Sequence, residues 1–429
     1  MDRASKLPPA KLSEASPEPN GSDAESLCEE ARKKVQQGCN LLLQLPLQWG
    51  ALLQGINPKR YLAEVTGISK SRIAEGSLDE LRPSTVARAV EHSHRVTRER
   101  AIEGGWSESE FDEALTSAPR LSDGLPSQLG GMFHVGSRSD AVVLEETTRL
   151  AVALEELVIQ LSNAAAADAW HEARNAALSF LRTEVWQESS SALQLSGLAT
   201  AEGWQELHLQ VDSLLMDALN GLFVTLDAEW GAQYFAGLRP QPVLLWLAPS
   251  LTFNAERKLP RRNGIGRPLR KLFELTFAIS ERGHSGRWPD KPPGRSAVAA
   301  ILEQSDAHAG NYFDGTRNLT LRGFEAWWLR LTADMRSKFH RAEQVAAPVM
   351  LARVALLWQN YWVKAESGKL RSIILLDKDE YRRRWRAVRR RLSTRFPEGQ
   401  GDWPDWLTAQ LSSSPSTGSP SPPSSGRSS

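Results

Sequence analysis

The sequence predicts a mainly α-helical, multi-domain protein with one or two helix-turn-helix-like units and an acidic helical bundle. Three observations carry that expectation. Apolar residues recur at helical spacing: Leu150, Leu154, Leu157 and Leu161 form one stripe, and Leu207, Val211, Leu214, Ala218 and Leu222 form another. Charge is segregated, with fourteen acids against three Arg in 141–230, eleven Lys or Arg against four acids in 256–296, and nine against three in 377–396. Strand signals are few.

In chain order, residues 1–24 are rich in Pro, Ser and Ala and read as a disordered tail. Residues 25–117 read as a helical, helix-turn-helix-like domain. The Gly, Pro and Ser of 118–140 break any period and suggest a linker. Residues 141–255 form the acidic bundle, in which the Ala-rich "AAAADAWHEARNAALSFLRTEVW" favours helix. "PVLLWLAP" (242–249) fits a buried strand or one helical turn between prolines. Residues 256–411 read as a basic helical domain, with "GRWPDKPPGR" (286–295) as a second candidate linker and 361–376 as a candidate hairpin. The tail 412–429 has no apolar residue to bury. The bundle itself fits two readings, packing within one chain or homo-oligomerising through 141–230.

At 429 residues with 41% hydrophobic content, the chain can fill real cores. No uninterrupted apolar run approaches the ~20 residues that span a bilayer, and the N-terminus lacks an apolar signal core, so a cytoplasmic protein without membrane partners is expected. Cys28 and Cys39 are the only cysteines, which argues against a disulfide framework or a Cys-ligated zinc. No cofactor or metal site is expected. His92 and His94 lie two apart, which does not suit a metal pair on a helix face and reads as a surface pair, and "WHEARN" lacks a second zincin His. "NGIGRPLRK" lacks Walker spacing. No catalytic motif emerges and no catalytic residue is assigned, although dispersed acids and lysines leave a divergent nucleic-acid-processing enzyme open.

Residues 57–76 present the sharpest motif. Asn57 can cap a helix whose first residue is Pro58. Gly67 supplies a permissive turn, Ile68 drops inward, Ser69 caps a second helix and Ile73 faces the core. Lys70, Ser71 and Arg72 are then left outward. Pro83-Ser84 opens a further helix, with Val86 and Val90 expected inside. With Ala63, Gly67, Ile68 and Ile73 at its small, turn and core positions, 57–91 resembles the Cro/repressor-type helix-turn-helix family. The resemblance implies duplex DNA binding, with the second helix in the major groove. It departs from the family after Ile73, where "AEGSLDELRP" is acidic. A plain helical hairpin fits the same residues.

A looser resemblance to the same family covers 294–331. Ser296, Asp306 and Thr320 would cap three helices, and Arg317 and Arg322 would be its DNA-facing residues, yet "AHAGNYFD" holds no Lys or Arg. A core-forming helical unit is the alternative there. Finally, "DKDEYRRRWRAVRRRLSTRF" places Tyr381, Trp385, Val388, Leu392 and Phe396 on one stripe and eight Arg on the remaining faces. Arg383, Arg386 and Arg390 are candidate phosphate contacts, because guanidinium forks match phosphate oxygens. The alternative is that these Arg pair with the acidic bundle. The function expected is a DNA-binding protein, either a regulator or a factor of a mobile element or defence locus. A helical adaptor for acidic protein partners is the alternative from another class.

Overall fold

The structure is a computed structural model. It describes residues 21–43, 45–46, 58–75, 83–103, 107–139, 143–183, 197–247, 285–292, 306–313 and 378–412, with isolated positions between 274 and 299. The protein is mainly α. Among the described residues its principal helices are α1 (Gly21–Leu43), α2 (Pro58–Thr66), α3 (Lys70–Glu75), α4 (Pro83–Glu103), α5 (Glu108–Thr116), α6 (Gln128–Ser139), α7 (Glu145–Ala166), α8 (Trp170–Leu181), α9 (Trp204–Tyr234), α10 (Val243–Leu247), α11 (Asp306–Phe313), α12 (Lys378–Leu392) and α13 (Asp405–Ser412). Among the described residues, β-type pairing is confined to two isolated bridges, Arg120 with Pro126 and Leu238 with Gly401.

A bundle forms around α9. Helices α1, α7 and α9 pack on one another, α8 covers α7 and α9, α6 lies on α7, and α12 lies on α9. The two stripes read from the sequence are its seams: Leu150, Leu154, Leu157 and Leu161 of α7 and Leu207, Val211, Leu214, Ala218 and Leu222 of α9 are all buried. From α1, Ala31, Val35, Cys39 and Leu42 fill the space between them, and Gly38 lets α1 approach Asp212 and Leu215 of α9 closely. Each Leu taken out of water in this way contributes about 1.5–3 kcal/mol. Desolvation pushes the Cys39 thiol up to about 12, so it behaves as a small apolar side chain.

The second half of α9 is buried on every face, from Gly221 to Trp230. All-round burial needs all-round apolarity, which explains why Trp204–Gln233 is long and apolar enough by length and composition to cross a bilayer. That run was not expected from the sequence, because Asp212, Asp217, Asp227 and Glu229 interrupt it. In the folded chain 71% of its most apolar window is buried inside the protein.

Between α7 and α8 the chain turns through Asp168, whose φ of 55° is left-handed. Asp tolerates this region better than most residues. The Ala169 N–H reaches back to the Ala164 carbonyl at 2.8 Å, the bond pattern of a Schellman ending. The Asp168 carboxylate also accepts the Trp204 indole N–H at 2.7 Å, tying this turn to the start of α9.

The expected domain boundaries change in three places. Helix α1 belongs to the bundle rather than to the helix-turn-helix-like unit. The presumed linker 118–140 carries α6, whose Leu129 and Phe133 are buried in the bundle core. The C-terminal segment 378–412 is integrated with the bundle rather than set apart, because Trp403 and Leu407 join its core and Tyr381, Trp385, Val388 and Leu392 pack on Val224 and Ala228. The proposed linker around 286–295 brings Trp288 parallel to Trp403, with ring centroids 6.4 Å apart. "PVLLWLAP" takes the helical option, as α10. The candidate hairpin 361–376, both tails beyond the start of α1 and the end of α13, and all of 294–331 except α11 and a few isolated positions lie outside the described residues.

A backbone clasp locks the C-terminal segment onto the end of α9. Gly401 donates to the Gly237 carbonyl at 2.9 Å, and its own carbonyl accepts from Arg239 at 2.8 Å. A Cβ on Gly401 would sit 2.6 Å from the Gly237 oxygen, and one on Gly399 would press into the Ala236 carbonyl. The Trp403 indole donates to the Arg239 carbonyl at 2.6 Å, and its ring meets Phe235 edge-on at 4.8 Å. Several of the fifteen Trp thus belong to one aromatic junction.

Candidate functional site

The 58–103 unit builds its turn from local bonds. At the end of α2 the Gly67 N–H donates to the Ala63 carbonyl at 2.9 Å, and Gly67 sits at φ 70°, where a side chain would be strained. The Thr66 hydroxyl donates to the Leu62 carbonyl at 2.6 Å and accepts the Ile68 N–H at 3.3 Å. Helix α3 follows, with the Ile73 N–H bonded to the Ser69 carbonyl and the Ile73 side chain buried. Helices α3 and α4 both pack on α2, and α5 packs on α4. On the outer side, Lys70, Ser71 and Arg72 are exposed on the first turn of α3. These three candidate residues therefore lie together.

Two expectations for this unit fail. Val90 points outward at 64% exposure. The inward stripe of α4 is instead the half-buried Thr85, Ala89, His92 and Val96, which recur at four, three and four residues. His92, read from the sequence as one of a surface pair, braces the turn. Its Nε2 lies 3.3 Å from the Glu64 carbonyl, Arg95 donates to its Nδ1 at 3.0 Å, and its ring fills the space where a Gly67 side chain would go. His94 turns elsewhere, edge-on to Phe111 at 5.8 Å. The sequence signal that could have identified His92 is its place three residues after Ala89 on the inward stripe.

Helix α12 and the turn after it divide their Arg residues between two roles. The apolar stripe falls as expected, with Tyr381, Trp385, Val388 and Leu392 buried and Phe396 half-buried. The flanking Arg engage the acidic bundle: Arg384 bonds Asp217 at 2.6 Å, Arg391 bonds Glu146 at 2.9 Å and Arg395 bonds Glu145 at 2.5 Å. The first pair is deeply shielded, the last exposed and worth little. Pairing with the bundle, the alternative drawn from charge segregation, accounts for these three. Arg383, Arg386 and Arg390 remain exposed. Arg383 is held by both oxygens of Glu380, which depresses that carboxyl to about 2, mainly through the Arg383 hydrogen bonds with Arg384 adding to them. Arg389 departs from the expected outward faces and is buried. Arg317 and Arg322 lie outside the described residues. The candidates at 70–72 lie on α3, which packs on α2, and those on α12 lie on a helix that packs on α9.

Three buried carboxylates have a role that sequence reasoning missed: each caps the start of another helix. Glu155 of α7 accepts from the Ser127 hydroxyl at 2.6 Å and from the Gln128 and Leu129 N–H groups at 3.1 and 2.8 Å, satisfying the first turn of α6. Glu229 of α9 does the same for α7, accepting from the Glu146 and Thr147 N–H groups at 3.0 and 2.9 Å. Asp227 accepts the Leu244 N–H of α10 at 3.1 Å and the Tyr381 hydroxyl at 2.8 Å. Burial raises Asp227 to about 7 and raises Glu229, against the pull of these hydrogen bonds. The Tyr381 hydroxyl is pushed up by burial and by the Asp227 charge. The available signal was two acids inside "GLFVTLDAEW", a stretch otherwise apolar on all helix faces.

Among the described residues, no group of three or more His, Cys, Asp or Glu is arranged to hold a metal ion. An open cleft of about 220 Å³ lies between α1, α6 and α7, lined by Leu42, Leu43, Pro46, Leu129, Glu155 and Val158. Both Glu155 oxygens accept hydrogen bonds from the start of α6. No family model, no curated protein and no solved structure matches this chain.

Proposed function

We propose that the protein binds duplex DNA through the 58–103 unit, with α3 entering the major groove. The observation that carries this reading is the arrangement of α3. Lys70, Ser71 and Arg72 are exposed on its first turn, Ile73 anchors it from beneath, and the Gly67 turn braced by His92 sets its departure from α2. Donors on the first turn of a second helix are what base-edge and phosphate contacts require. Arg383, Arg386 and Arg390 on α12 would add phosphate contacts from a separate surface. In this reading the protein acts as a cytoplasmic regulator or locus-associated factor. The Leu stripe of α7 is filled within one chain, so self-association would use a different surface.

The test is fluorescence anisotropy of the full chain with labelled duplex DNA over a range of salt, beside a proteinaceous polyanion of matched charge. The DNA reading expects selection for a duplex sequence, lost in Lys70→Ala combined with Arg72→Ala. Removing a bidentate base contact costs about 1–3 kcal/mol. Unchanged affinity in the folded double variant would retire the reading of α3. Equal binding to the proteinaceous polyanion would favour an adaptor.

A further inference from the structure

The exposed Arg stripe of α12 is not uniform. Arg383, Arg386 and Arg390 recur at three and four residues, so they share one helix face. Glu380 stands three residues before Arg383, at the head of that face. Its two oxygens accept the Nε–H and an Nη2–H of Arg383 at 2.7 and 2.6 Å. This is the parallel two-bond fork by which a guanidinium also grips a phosphate. Among the described residues, the ion pairs of α12 involve Arg382, Arg383, Arg384 and Arg391, and neither Arg386 nor Arg390.

An exposed ion pair is ordinarily labile and worth little. Glu380 differs because it is anchored from beneath. Arg384 donates its Nε–H to the same Oε1 at 2.6 Å, and Arg384 is itself buried and fixed by Asp217 at 2.6 Å. These hydrogen bonds, those from Arg383 first, hold the Glu380 carboxyl at about 2, so it is anionic across the neutral range. An Arg that already carries a carboxylate brings no net charge to a phosphate. It therefore releases no condensed cation from DNA. A phosphate approaching the Nε–Nη2 edge of Arg383 must first expel an anchored anion.

We infer that Glu380 is a built-in competitor for DNA phosphate, occupying Arg383 and leaving Arg386 and Arg390 as the phosphate contacts of α12. Arg383 joins them only where Glu380 is displaced. The inference rests on the DNA reading and deepens it. Phosphate contacts strengthen binding to every sequence alike, so masking one restrains binding that carries no sequence information.

The test is the salt dependence of duplex DNA binding by the full chain, measured by fluorescence anisotropy. Arg386→Gln and Arg390→Gln should each flatten the slope of log affinity against log salt by up to about 0.9, whereas Arg383→Gln should leave it unchanged. Glu380→Gln should steepen it by up to about 0.9, so that affinity falls about 3.5-fold more between about 50 and 200 mM salt. In the Glu380→Gln background, Arg383→Gln should now flatten the slope. Should Glu380→Gln fail to fold, the three single Arg variants decide alone, since all three side chains are exposed. Flattening by Arg383→Gln equal to that of its neighbours, a slope that no Arg variant moves, or a slope unmoved by Glu380→Gln would each overturn the inference and leave DNA binding itself standing. If neither the unaltered chain nor Glu380→Gln binds duplex at low salt, the DNA reading falls and this inference falls with it.

Discussion

Replacing Asp227 by Asn should remove a large part of the protein's loss of stability at rising pH. Asp227 is fully buried, and burial raises its carboxyl from 3.8 to about 7. A folded-state pKa above the unfolded value means that the native state holds the proton more tightly. The group's contribution is therefore fully present below about 3.8 and is lost as pH rises through about 7. A difference of about three units corresponds to about 4 kcal/mol between the two limits. Asn is neutral throughout and can still accept the Leu244 N–H, while its amide meets the Tyr381 oxygen. Urea unfolding followed by circular dichroism at pH 5, 6, 7 and 8.5 reads the difference directly. Wild-type stability should fall across this range, and the Asn variant should fall less, matching or exceeding wild type at pH 8.5. Taking the difference cancels Glu229, whose raised pKa acts in the same direction. Glu380 does not interfere, because its contribution is present above 4.5 and is lost only as pH falls through about 2. Parallel pH profiles for the two proteins would refute the assignment of this charge to Asp227.

Arg384→Ala should destabilise the protein by about 3–5 kcal/mol in denaturant titration, because it breaks the shielded 2.6 Å ion pair with Asp217. Changing Arg383, Arg386 and Arg390 together to Gln should leave the melting temperature nearly unchanged. If these residues contact DNA, the same change lowers the salt slope of binding by up to about 0.9 per lost phosphate contact. Gly399→Ala should cost several kcal/mol and loosen the C-terminal clasp, because the added methyl meets the backbone of Ala236 and Gly237 rather than a movable side chain. Limited proteolysis between α12 and α13 would report that loosening. Glu155→Ala should cost about 1–2 kcal/mol through loss of the α6 cap, measurable as a lower urea midpoint with an unchanged slope.

Features governed by local periodicity were the ones visible in the sequence. The Leu stripes of α7 and α9 and the Tyr381 to Phe396 stripe of α12 all face inward, since a helical period states which face is apolar without reference to the partner. Pro58 and Pro83 open their helices as expected, because a missing N–H is tolerated there. Val90 was misread for a related reason: several apolar positions compete for the inward face of α4, and the polar His92 takes it. Glu155, Asp227 and Glu229 could not be told from solvated acids, since what decides their role is a helix terminus 17 to 83 residues away. Gly399 and Gly401 were invisible for the same reason. Their purpose is a backbone contact with 236–238, which sequence spacing cannot announce. Within the candidate site, Lys70, Ser71 and Arg72 were legible from one turn motif, whereas the division of α12 Arg between the bundle and solvent required the bundle itself.

The three buried carboxylate caps change what a helix end means in this protein. First-turn amides of an ordinary helix fray and exchange their hydrogens with solvent freely. The Leu129, Thr147 and Leu244 amides are instead held by side chains from α7 and α9, in the interior. Their hydrogens can leave only when the bundle itself opens. In deuterium these end positions should exchange as slowly as the middle of α9, so the starts of α6, α7 and α10 belong to the same cooperative unit as the core they surround.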